Sequence, residues 1–75
     1  MNPEQQIETE LAKKYNASLA PDTIRGAGWN SFKLNGWFVW LNEQWIAARL
    51  KNHQFVGHQF FASLEDALRF CQNNA

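Results

Sequence analysis

Residues 29–51 read WNSFKLNGWFVWLNEQWIAARLK, and the Asn35-Gly36 pair among them decides the fold. Two residues of this type between runs of aromatic and branched side chains suit a type I′ turn, whose two central positions both need positive φ. A two-residue turn fixes the register, so that Leu34 faces Trp37, Lys33 faces Phe38, Phe32 faces Val39, Ser31 faces Trp40 and Asn30 faces Leu41. Successive side chains point to opposite faces of a sheet. Phe32, Leu34, Trp37, Val39 and Leu41 therefore share a core face, and Trp29, Ser31, Lys33, Phe38 and Trp40 share the other.

A second two-residue turn at Glu43-Gln44 extends this pattern. Leu41 then faces Ile46, Val39 faces Ala48 and Trp37 faces Leu50, which adds apolar side chains to the core face. Trp45, Ala47, Arg49 and Lys51 join the second face, since a slip of one residue would bring both cations under the core. A fourth strand, about Gln54 to Phe61, follows a turn at Asn52-His53. The same count sends Phe55, Gly57 and Phe61 to the core side and Val56, His58 and Phe60 to the second face, with a bulge near Gly57 able to change the parity.

Outside residues 29–61 the chain reads as helix and loop. Asn2, Pro3 and Glu4 supply an N-cap, a proline at the first helical position and a negative charge at the positive end of the dipole. The resulting helix over 1–16 carries a narrow stripe of Ile7, Leu11 and Tyr15 with Ala12 beside it, and Glu10 stands four residues before Lys14 as an ion pair. Residues 17–28 contain Pro21-Asp22 and two glycines and read as an ordered loop, with an extra short strand around Thr23 to Arg25. Ser63 and Asp66 form a short capping box for a helix over 63–73, in which Leu64, Ala67, Leu68 and Cys71 follow helical spacing. The expectation is one α+β domain over residues 1–75: an N-terminal helix, an antiparallel three- to four-stranded β-meander, and a C-terminal helix packed on one sheet face.

Composition limits the function classes. At 75 residues there is room for a single domain, and the six Phe, four Trp and one Tyr compensate for the lack of a disulfide pair in so small a core. Cys71 is the lone cysteine and reads as a small buried hydrophobe in a reducing compartment. The first fifteen residues hold three glutamates and no apolar run, unlike a secretory signal, and no stretch approaches a membrane span. The expected location is the cytoplasm. Seven basic and seven acidic side chains cancel, but residues 24–63 carry Arg25, Lys33, Arg49 and Lys51 against Glu43 alone.

No constellation carries chemistry. His53 and His58 with Cys71 do not complete a metal set, Ser63 is a helix cap rather than a nucleophile, and Glu65 and Asp66 occupy a first helical turn where dipole and capping favour carboxylates. The chain is therefore read as non-enzymatic, with neither cofactor nor metal. The second sheet face remains, where Trp29, Phe38, Trp40 and Trp45 stand among Lys33, Arg49, Lys51 and His58. Three covers fit it. The first is the N-terminal helix folding back, which makes a purely structural domain. The second, favoured, is a protein partner or a copy of the chain, since aromatics and arginine are the usual composition of interface centres. The third is nucleic acid, whose bases stack on aromatic rings between basic groups. A small binding module of this kind suits a phage or plasmid accessory or inhibitor protein.

The strands leading into FFASLEDALRFC, residues 60–71, resemble in layout the arm-binding domains of integrases, where a three-stranded sheet precedes a helix. The resemblance implies DNA binding by the sheet. Those domains set several arginines on the DNA-facing strands, whereas Phe38, Trp40 and Trp45 stand at the comparable positions here.

Overall fold

The structure is a computed structural model and describes residues 2–75. Helix α1 (Pro3–Tyr15) is followed by strands β1 (Ser18–Pro21), β2 (Asn30–Leu34), β3 (Trp37–Asn42), β4 (Gln44–Lys51) and β5 (Gln54–Phe61), then helix α2 (Leu64–Asn73). The strands form one antiparallel sheet in the order β1-β2-β3-β4-β5, an α+β fold with a meander at its centre. No helix among the described residues is long and apolar enough to cross a membrane.

Both helix starts follow their local chemistry. The Asn2 side chain accepts the amide of Glu4, Gln5 reaches back to the Asn2 amide, and Pro3 opens the helix. Ser63 accepts the amide of Asp66 at 3.2 Å. The first hairpin has its expected register, with Phe32 opposite Val39, Lys33 opposite Phe38 and Leu34 opposite Trp37. Asn35 and Gly36 take the φ values of 53° and 81° that a type I′ turn requires.

The second hairpin corrects the expected register. Asn42 pairs with Gln44, leaving Glu43 alone between them at a φ of 64°, so Leu41 faces Trp45, Val39 faces Ala47 and Trp37 faces Arg49. Every side chain of β4 lies on the face opposite to that expected. Trp45 and Ala47 enter the core, whereas Ile46, Ala48 and Leu50 move to the second face beside Phe38 and Trp40. Arg49 is tolerated on the core side because it lies at the border of the apolar cluster. Its guanidinium sits 4.3 Å from the centroid of the Trp37 ring and donates to the carbonyl of Asn74 at 2.9 Å.

The slip carries into β5 and then ends. Phe55 pairs with Leu50 on the second face, and Val56 with Arg49 on the helical side, the reverse of expectation. Between Ala47↔Gln59 and Arg49↔Val56, β4 advances two residues while β5 advances three. That bulge, at Gly57-His58 with Gly57 at a φ of 68°, restores parity. His58 and Phe60 then take the second face and Phe61 the core side, as the sequence suggested.

Both helices lie on one side of the sheet. Ala12 and Tyr15 of α1 join Leu64, Ala67, Leu68 and Cys71 of α2 over Phe32, Trp37, Val39, Trp45 and Ala47 in a single apolar cluster. Two details of α1 differ from expectation. Ile7 is largely exposed, and Lys14 pairs with Glu65 of α2 at 2.8 Å rather than with Glu10. The added strand is β1, which pairs with β2, while residues 22–25 form a turn in which the Asp22 carboxylate accepts the amides of Ile24 and Arg25.

Candidate interaction face

The sheet face away from the helices carries a connected set of rings. Phe55 lies 5.6 Å from Phe38 and 4.9 Å from Trp40, and His58 meets Trp40 edge-on at 6.1 Å, all between centroids. Ile46 and Ala48 are buried beneath these rings although no helix covers them. Phe38 and Trp40 are half-buried, while Leu50 at 50%, Phe55 at 44% and Phe60 at 59% exposure are open to solvent. Contiguous apolar surface of this sort marks contact sites, whereas scattered exposed apolar residues do not.

The 22–25 turn rises beside the face and makes a cleft of about 440 Å³ with it, lined by Pro21, Asp22, Ile24, Ser31, Trp40, Asn42 and Phe55. Ile24 stands at its rim almost fully exposed. The hydrogen bonds from Asp22 to the Ile24 and Arg25 amides, together with the Asp22 amide bond to the Trp29 carbonyl, fix the shape of this rim.

Charge is sparse on the face and graded along it. Lys33 is the one lysine or arginine on it among the described residues, with its ammonium 5.2 Å from the Phe38 ring centroid. It lies toward the Asn35-Gly36 end, whereas Glu43 and Asp22 lie at the opposite end, where β3 turns into β4 and β1 runs out.

Of the eight residues expected to form the partner-binding surface, the structure brings together Lys33, Phe38, Trp40 and His58. Trp45 is buried on the helical side, 6.1 Å from Phe32. Arg49 is held against Trp37, and Lys51, two residues on, shares its helical-side parity at the tip of the β4–β5 hairpin. Trp29 precedes β2 and stacks on Arg25, whose guanidinium also faces Trp45 and is gripped by Glu8 of α1. Leu50, Phe55 and Ile24 were missed as site residues. The mark that could have revealed the first two is Gly57. Once a bulge is placed there, His58 and Phe60 can share a face with Phe55, and only the slipped β4 register satisfies both halves.

Two of the groups weighed for chemistry, Cys71 and Ser63, serve packing and capping. Cys71 is fully buried, and that burial pushes its thiol up to about 11. Ser63 caps α2, and no three His, Cys, Asp or Glu side chains among the described residues gather as a metal site. Compared with protein-family models, curated proteins and solved structures, the chain matches none.

Proposed function

We propose that this chain is a non-catalytic binding module whose working surface is the helix-free face of the sheet, and that its partner is a protein. The observation that carries the reading is the linked set Phe38, Trp40 and Phe55, with Phe60 exposed on the same face, beside a cleft and without a helix over it. Aromatic rings of this size contribute much of the energy of protein interfaces when a partner excludes water from them. The sheet beneath is fixed by packing on its other side, so the rings are presented with little ordering left to do on binding.

The register also weighs against nucleic acid. Affinity for phosphates grows with the number of uncompensated cations. Arg25, Arg49 and Lys51 belong to the helical side or the hairpin tip, which leaves Lys33 alone among the rings. One cation and a histidine are too few to hold a strand against physiological salt.

The test is photo-cross-linking with a benzophenone side chain at position 55, on the face, and at position 10, on the exposed side of α1. Protein adducts from position 55 and none from position 10 are expected. Adducts to nucleic acid, or equal yields from both positions, overturn the reading.

A further inference from the structure

We infer that the occupant of the helix-free face is a second copy of this chain, stacked sheet to sheet with its strands antiparallel to the first. The inference rests on the proposed binding role of that face and names its partner. Five strands about 4.8 Å apart span roughly 24 Å, and six residues at about 3.3 Å each span roughly 20 Å. The flat footprint is therefore near 500 Å² per copy, or about 1,000 Å² for two, before the relief of the rings and of Ile24 is added. That reaches the lower bound for a specific interface, and is met only if nearly the whole face is used. A partner built to the same outline meets that condition.

Charge selects the arrangement. The face carries Lys33 toward one end, the turns that bound its other end hold Asp22 and Glu43, and the chain as a whole has a net charge of zero, so copies do not repel at long range. A two-fold axis along the strands would set like ends together. A two-fold axis across the strands sets Lys33 of one copy toward Asp22 and Glu43 of the other, and repeats the pairing by symmetry. The product is a four-layer helix-sheet-sheet-helix body with sheets about 10 Å apart. In it the Phe55 ring, which reaches inward to Phe38 and Trp40 of β3, is covered by the second sheet, and Phe60, exposed in the single chain, is covered along the β5 edge.

Sedimentation equilibrium of the whole chain from about 1 to about 500 µM tests this. The apparent mass is expected to rise from 8.7 kDa toward twice that value. Phe60→Lys, at a ring that contributes little to the fold, is expected to weaken association at least about tenfold with an unchanged circular dichroism spectrum. Lys33→Glu is expected to weaken it as well, and Lys33→Glu with Glu43→Lys to restore it, because the reversed charges again face each other. A chain that stays monomeric throughout, a dimer indifferent to Phe60→Lys, or a double reversal that recovers nothing overturns the inference. A monomer that still gives protein adducts from position 55 overturns the second copy while leaving the proposed function standing.

Discussion

The guanidinium of Arg25 donates two hydrogen bonds to the carboxylate of Glu8, at 2.8 and 2.9 Å. Both side chains are only 13% exposed, and the Trp29 ring packs 4.1 Å from the guanidinium. The pair ties the 22–28 loop to α1 and so holds the wall of the cleft. It also explains why a tryptophan that begins the decisive stretch is not on the helix-free face, since its ring is taken up by a cation bound to the helix.

Removing one member leaves the other desolvated. Arg25→Ala is expected to lower unfolding free energy by about 2–3 kcal/mol, somewhat under the cost of breaking a deeply buried pair. Glu8→Ala with Arg25→Ala is expected to cost less than the two single changes added together. Urea denaturation of the four proteins closes the cycle.

Leu68 is among the largest fully buried side chains, so Leu68→Ala is expected to cost about 2–5 kcal/mol. Phe60→Ser is expected to change stability by no more than about 0.5 kcal/mol in the monomer, as at exposed positions generally. Denaturation at low protein concentration separates the two. Comparable losses would mean that the rings belong to a second core.

The turn between β4 and β5 places Asn52 and His53 at φ values of 51° and 64°. In the left-handed region the Cβ of histidine crowds the following carbonyl oxygen, whereas glycine, with no Cβ, is at ease. His53→Gly is expected to raise stability by about 0.5–1 kcal/mol, read as a higher midpoint in urea with an unchanged slope.

Stability should decline at both extremes of pH, for different reasons. Hydrogen bonds from Lys14 and then Tyr15 hold the Glu65 carboxyl below its ordinary range. That contribution is therefore present above the ordinary range and fades as pH falls through the depressed value, and Glu65→Gln should flatten the acid limb. Burial pushes Cys71 from 9.0 to about 11, so its contribution is full below 9.0 and is lost as pH rises toward 11. Cys71→Ala should flatten the alkaline limb at some cost in packing. Urea midpoints measured across the pH range check both.

The elements that could be read from sequence are those whose residues allow one reading. Asn35-Gly36 permits a single turn type, and Asn2-Pro3 and Ser63 mark helix starts that side chains then complete. Strand β4 was not legible, because QWIAARLK is apolar on both parities: Trp45 and Ala47 alternate with Ile46, Ala48 and Leu50. The only discriminators were the cations Arg49 and Lys51, which argued for the wrong face. An arginine can border a core when its plane covers a tryptophan and its donors reach a carbonyl, and Trp37 and Asn74 supply both. Glu43 gave no warning either, since a lone left-handed residue at a hairpin tip is normally glycine or asparagine. The side on which α1 docks was equally hidden. Ala12 and Tyr15 face inward while Ile7 does not, so the narrow stripe carried less information than its spacing suggested.

The bulge at Gly57 also bears on how large an assembly of this chain can become. An eight-residue edge strand with regular spacing would offer every arriving copy the same unfilled row of backbone donors and acceptors, and each addition would regenerate that row without end. One extra residue midway along β5 breaks the repeat, so an incoming strand cannot stay aligned across it. Growth by sheet extension is therefore frustrated, while contact through the single open face consumes that face in both participants. Whatever the open face takes as its partner, the edge beside it is shaped against a fibre.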